Sequence, residues 1–444
     1  MNRNRREFLR TCCQLGAASF AAHLGHLAPM TASAQGMSNK TLVCVFLFGG
    51  NDSNNMIVPI DSRYGAYQSM RSAVALAQGT LLPAGTSGYG LHPALVNVQR
   101  LYNQQHAAAV FNVGTLFRPV TRATLDSAPV PRNLYSHSDQ TQQWQTSDPN
   151  GGATGWGGRV NDLAITHNTG ILPPGITVNG GNALFLSGAT TKGLNFSNAG
   201  SFGLSTFGDD KAMMARLTAM QKVLTFDSGL QLVSAANGVL DDSFKSAAEI
   251  DKALNSAPAL PVAFPNSGLG QQLAQVAQVI AVQNTLGLTR QIFFAGMGGF
   301  DNHEDLLDKH QNLMATLDAA VNAFITTLEQ RGHLNTVTLF TESEFNRTGN
   351  SNANIGTDHG WGSHHLVVGG AVRGGTTYGT FPRHELRGPD DAGDRGNWIP
   401  STSLDQYAAT LGSWFDVPDA DLKMIFPNLA TFSAYGWPEK LGFL

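Results

Sequence analysis

Thr41-Leu42-Val43-Cys44-Val45-Phe46-Leu47-Phe48, followed by Gly49-Gly50-Asn51-Asp52-Ser53-Asn54-Asn55, is the stretch on which the fold turns. The run is almost continuously apolar and rich in β-formers, with no alternation. It is therefore predicted as a central strand covered on both faces. Such a strand belongs to an α/β protein with helices on either side of its sheet, where function gathers at the carboxyl ends of the strands. Asp52 stands at such an end. It is suited to ligate a metal there, or to close the strand in an Asx-turn.

Further runs of the same kind occur along the chain. Ala107 to Val113, Gln291 to Ala295, Thr336 to Phe340 and a run through Val368 are predicted strands. Helical spacing marks Pro93 to Tyr102, a helix capped by Ser136 or Ser138, and one capped by Asn266 or Ser267. A long amphipathic helix opens near His303 and His310, with His310 expected on its surface. Ser403-Leu404-Asp405-Gln406 is a capping box opening the last clear helix. Between about 171 and 265 the pattern loosens. A strand at Leu184 to Leu186, a helix around Lys211 to Val223 and several prolines suggest a cap or insertion on the core, with 35–444 as one large domain.

The first residues stand apart from the fold. Asn4-Arg5-Arg6-Glu7-Phe8-Leu9-Arg10, a weakly apolar run from Leu15 to Leu27, and Ala32-Ser33-Ala34 have the form of a twin-arginine export signal. Residues 1–34 are expected to be cleaved near Ala34, releasing the chain into the periplasm. The twin-arginine translocase is then a transient partner, and the apolar run is too short for stable membrane insertion. Cleavage would remove Arg3, Arg5, Arg6, Arg10 and Glu7. That leaves 24 basic and 31 acidic side chains, moving the net charge from −4 to −7, which disfavours nucleic acid as a partner. Only Cys44 would survive, so no intrachain disulfide is expected.

The chemistry-bearing residues cluster where strands end. Gly298-Gly299-Phe300-Asp301-Asn302-His303 follows one strand, and Thr341-Glu342-Ser343-Glu344-Phe345-Asn346-Arg347 another. Gly356-Thr357-Asp358-His359-Gly360-Trp361-Gly362-Ser363-His364-His365 enters a third. Aspartate oxygen and imidazole nitrogen suit zinc, manganese or iron. Several carboxylates at one sheet edge would repel one another without cations, so a site for two divalent metal ions is expected. Arg347 is either an anion holder or the ion-pair partner of Glu342 or Glu344. Ser136, at a helix N-terminus, is either a cap or a nucleophile.

Gly49-Gly50-Asn51-Asp52, Ser136-His137, Gly299-Phe300-Asp301-Asn302-His303, Ser343-Glu344-Phe345-Asn346-Arg347-Thr348 and Gly356-Thr357-Asp358-His359-Gly360-Trp361-Gly362 together resemble the exported family called domain of unknown function 1501. Gly369 to Gly375 and Tyr378-Gly379 extend the resemblance, which runs from about Leu42 to Phe415. That family is in turn similar to the alkaline phosphatase and sulfatase superfamily. The resemblance implies a three-layer α/β/α sandwich and a hydrolase of phosphate or sulfate esters, small or part of the envelope. It implies one metal on Asp52, Asp358 and His359, and another on Asp301, His303 and His365. Ser136 would lie near the nucleophile position, with His137 and Arg347 assisting. The other expectation is a non-catalytic, metal-stabilised binding or assembly protein of the envelope on the same fold. His364, next to His365 in a strand, is expected to face away and be dispensable.

Overall fold

The strand predicted from the opening run is β1 (Lys40–Leu47), and every residue from Thr41 to Leu47 is buried. The computed structural model describes residues 38–181, 183–196, 211–225 and 229–444. The export signal expected in residues 1–34 lies outside them. The remaining strands, in chain order, are β2 (Ile57–Pro59), β3 (Leu82–Pro83), β4 (Tyr89–Leu91), β5 (Ala107–Gly114) and β6 (Gly175–Thr177). Then come β7 (Leu194–Asn195), β8 (Arg290–Met297), β9 (Val337–Glu342), β10 (Ser363–Val368), β11 (Thr377–Tyr378) and β12 (Thr402–Ser403).

The main sheet runs β11-β5-β10-β9-β1-β8-β6-β7, with β12 also pairing with β5, while β2, β4 and β3 form a small separate sheet. β1 lies parallel to both β8 and β9, and β10 is antiparallel to both β9 and β5. The carboxyl ends of β1, β8, β9 and β5 therefore open on the same edge as the amino end of β10. Loops from five distant parts of the chain meet there.

Alternation along β1 explains the layers. Val43, Val45 and Leu47 join one core with the helices Val96–Asn103, Gly268–Ala281 and Leu306–Gln330. Leu42, Cys44 and Phe46 join another with the helices His137–Thr146, Trp156–Ala164 and Leu404–Trp414. The result is an α/β/α sandwich. In the helix Leu306–Gln330, Met314, Leu317, Val321, Phe324 and Leu328 repeat at three- and four-residue spacing and are at most 2% exposed. Each such side chain contributes about 1.5–3 kcal/mol on burial, which holds that layer to the sheet. Asp318 on the same helix caps its neighbour: its carboxylate accepts the amides of Asn97 and Val98, at 2.9 and 2.8 Å.

Three local expectations are corrected. Leu184–Leu186 is a 3-10 turn, because the Ser187 amide returns to the Leu184 carbonyl and the Phe185 amide is taken by the Gln145 side chain. His310 is fully buried, donating from Nε2 to Asn51 Oδ1 at 3.0 Å. Arg347 pairs with Asp301 and not with Glu342 or Glu344. In the region expected as a cap or insertion, β6 and β7 extend the main sheet beyond β8, and the helices Lys211–Leu224 and Gln231–Asn255 follow. Among the described residues, no helix is long and apolar enough to cross a membrane.

Candidate metal centre

The loop after β1 can enter the shared edge only because of its glycines. Gly49 has φ of +111°, and a Cβ there would lie 2.4 Å from the Asp301 amide; on Gly50, φ +80°, it would strike the Phe345 ring at 2.2 Å. The loops then tie to one another through backbone. Thr357 N donates to Asn302 O at 3.0 Å, Gly360 N to Asn346 O at 2.7 Å, and Asn346 N to Trp361 O at 3.1 Å. These bonds fix where the side chains between them project.

Three imidazoles and one carboxylate converge. His137 Nε2, His303 Nε2 and His359 Nε2 lie 3.5, 2.9 and 3.4 Å from Asp301 Oδ1, and His303 Nε2 is 3.1 Å from His359 Nε2. Each ring is anchored by its other nitrogen. His137 Nδ1 donates to Glu344 Oε1 at 3.0 Å, His303 Nδ1 to Asp358 Oδ1 at 3.0 Å, and His359 Nδ1 to the Tyr135 carbonyl at 2.8 Å. Those acceptors are two carboxylates and a backbone carbonyl, none of which carries a proton to give, so the Nδ1–H tautomer follows in all three neutral rings.

The consequence is electrostatic. The three Nε2 atoms surround Asp301 Oδ1, which the Arg347 guanidinium also meets, and a cation among the rings would relieve the facing lone pairs. That cation would be a proton or a metal ion. Imidazole nitrogen and carboxylate oxygen, each nitrogen oriented from behind by an acceptor, are the kind of donors and outer support that a transition metal takes. His137, Asp301 and His359 offer ligand atoms all within 4.8 Å of one another, and His303 stands outside that group while meeting Asp301 and His359. The Asp301 side chain keeps 47% of its exposure and that of His303 43%, so a face remains open to solvent.

The titration of the cluster reflects these contacts. The hydrogen bond that His137 donates to Glu344 raises it above the usual histidine value, against partial burial and helped by Asp301. Burial lowers His359. Burial alone would raise Asp301, but the Arg347 guanidinium and the neighbouring imidazoles hold it below the ordinary carboxylate range. Asp358 behaves likewise: burial opposes ionisation, and Asn352, His303 and Arg395 outweigh it.

Arg347 is fully buried and acts as a clamp. It donates to Gly50 O and Thr357 O at 3.0 Å each, to Gly49 O at 2.6 Å, and to Asp301 Oδ1. Phe345 stacks on His359 with ring centroids 4.6 Å apart and lies 4.9 Å from His137, so it backs both rings. Ser136 is the N-cap of the helix His137–Thr146. Its Oγ donates to Asp139 Oδ2 at 2.8 Å and accepts weakly from the Asp139 amide at 3.4 Å.

The structure thus brings together Asp301, His303, Asp358, His359, His137 and Arg347 from the expected set. It does not bring Asp52 or His365 to them. The Asp52 carboxylate is buried against Arg71. His365 is buried on the opposite face of β10 from His364, its ring 4.9 Å from Trp144 and 5.8 Å from Tyr407. His364 packs on Phe111 and Phe381 and accepts the Asn112 amide at Nδ1, 3.0 Å. Glu344 and the Tyr135 carbonyl escaped the sequence reading as orienting groups. Glu344 was legible as a carboxylate at a strand end; the positive φ of Tyr135, +77°, which turns its carbonyl to His359, has no signature in a tyrosine.

The family model described as "Protein of unknown function (DUF1501)" matches residues 39–391. The chain belongs to that family. The family match spans all five strand-end loops of the site, from Gly49 to His365. Among curated proteins none matches this DUF1501 chain. Solved structures similar to it include the PsFucS1 sulfatase from Pseudoalteromonas sp., at 8% identity and a TM-score of 0.33, covering 79% of this chain and 68% of that one. The C-terminal periplasmic domain of EcEptC from Escherichia coli, in complex with Zn, is 10% identical at a TM-score of 0.30, covering 76% and 75%. An alkaline phosphatase PafA mutant is 9% identical at a TM-score of 0.25, covering 70% and 64%. Scores of this size carry no weight for fold or chemistry. The architecture of this DUF1501 protein rests on its strand order and its two packed faces.

Proposed function

We propose that this DUF1501 protein is an exported, metal-dependent hydrolase of phosphate or sulfate esters, with His137, His303, His359 and Asp301 as the metal-holding residues. The convergence of three Nε2 lone pairs on one carboxylate oxygen is the observation that carries the reading. A divalent cation of the zinc or manganese kind would supply Lewis-acid polarisation of the ester and stabilise the charge that develops on it. Glu344, Asp358 and the Tyr135 carbonyl hold the imidazoles in the tautomer that presents Nε2. Arg347 fixes Asp301 and the Gly49-Gly50 turn, and the half-exposed faces of Asp301 and His303 admit the ester. Ser136 is assigned to capping, which leaves solvent water as the attacking group. Residues 1–34 are proposed as the twin-arginine signal, and about 171–265 as an insertion in the sandwich.

The second reading is a non-catalytic, metal-stabilised envelope protein. One observation favours it: Ser136, the hydroxyl expected nearest a nucleophile position, is engaged with Asp139. Elemental analysis of the exported protein, paired with a panel of aryl phosphates and sulfates, separates the two. Bound metal with turnover abolished in Asp301→Ala supports the hydrolase. Bound metal without turnover on any ester supports the second reading, and folded protein that binds no metal removes the basis of both.

A further inference from the structure

We infer that the centre takes one metal ion, because buried arginine occupies the place where a second would need Asp52. The inference rests on the metal reading above and concerns only the number of ions.

A second ion would need donors beyond the three imidazoles and Asp301, and the two remaining expected carboxylates are both engaged. Asp52 lies in a pocket of oxygens: its own carboxylate, Asn55 Oδ1, and the carbonyls of Thr348 and Gly349. That is the donor chemistry of a hard cation. Arg71 fills it. Its guanidinium, with no exposed surface, donates from Nε to Asn55 Oδ1 at 3.0 Å and from Nη1 to Thr348 O and Gly349 O at 3.0 and 3.1 Å; Nη2 meets Asp52 Oδ2. A divalent ion there would face a fixed positive charge at low dielectric, where like charges repel most strongly.

Asp358 is likewise taken. Its Oδ2 meets Arg395, while Oδ1 accepts from His303 Nδ1 at 3.0 Å and from Asn352 Nδ2 at 3.2 Å. It orients a ligand and is not itself free to be one. The carboxylate repulsion that suggests two metals is relieved instead by Arg71, Arg347 and Arg395, each against one aspartate.

The test is stoichiometry. Full-length protein, stripped with chelator, is reloaded with zinc chloride or manganese chloride, desalted, and assayed for metal per chain by mass spectrometry, with circular-dichroism melting to check folding. About one equivalent in the wild type, unchanged in Asp52→Asn, is the expected result. Two equivalents in the wild type would overturn the inference while leaving the metal reading intact. Folded wild type that retains no metal would overturn both. Loss of metal in an Asp52→Asn protein that still melts cooperatively would also overturn it; if that variant does not fold, the wild-type count decides.

Discussion

Glu344 reaches His137 from a position where its side chain is only 3% exposed, and it accepts the Gly49 amide at 2.6 Å with the same oxygen. One carboxylate thereby sets both the ring of a candidate ligand and the turn that admits it. Removing groups of this kind lowers metal affinity by roughly 10- to 100-fold, so Glu344→Ala should weaken binding by that factor in a competition titration against a chromophoric chelator. Glu344→Gln retains an acceptor oxygen and should recover most of the loss; equal weakening in both variants would argue for charge over orientation. His365 offers a contrast. It is held neutral by burial, with its pKa lowered to about 3, between Trp144 and Tyr407. His365→Ala should keep the metal and cost roughly 1–3 kcal/mol of stability in urea. Metal loss without destabilisation would return His365 to the ligand set.

At the scale of elements, the helix His137–Thr146 carries its first residue into the site, so its cap positions a candidate ligand. Ser136→Ala should cost about 1 kcal/mol while leaving ester turnover measurable; complete loss of turnover in a folded variant would identify Ser136 as the nucleophile. The strands were legible because burial on both faces writes itself as uninterrupted apolar runs, from Thr41 to Phe48 and from Ala107 to Val113. The strand-end loops carrying Asp301, His303, Asp358 and His359 were legible for the same reason. Which loops face which was not. That depends on β10 running antiparallel between β5 and β9, a choice made by packing over hundreds of residues and absent from local pattern. The partner of Asp52 was hidden similarly: nothing in the sequence singles out Arg71, and only the fold shows it without exposed surface against that carboxylate. His310 was misplaced because hydropathy cannot distinguish an exposed histidine from one buried and satisfied by Asn51.

At the scale of the molecule, buried acids should shape the response to pH, and burial raises both Glu342 and Asp405. Asp405, at the start of the helix Leu404–Trp414, is raised to about 7 by burial, with Arg159 and Asn428 opposing. Its folded pKa lies above its unfolded value, so the native state binds a proton that the unfolded chain releases. That contribution is complete below roughly pH 4 and is lost as pH rises towards 7. Urea unfolding at about pH 5 and about pH 8 should show a smaller fall for Asp405→Asn than for the wild type; parallel falls would remove Asp405 as the cause. The three arginine–aspartate pairs act at the same scale. Because Arg71, Arg347 and Arg395 already neutralise Asp52, Asp301 and Asp358, the charge balance of this edge does not wait for an ion. Chelator-treated protein should therefore still melt cooperatively, losing only the increment that ligand binding adds; a chain that unfolds when stripped would contradict this. On the proposed metal reading, the scaffold would be complete before an ion arrived, and loading would be a reversible exchange with the surrounding medium rather than a step in folding.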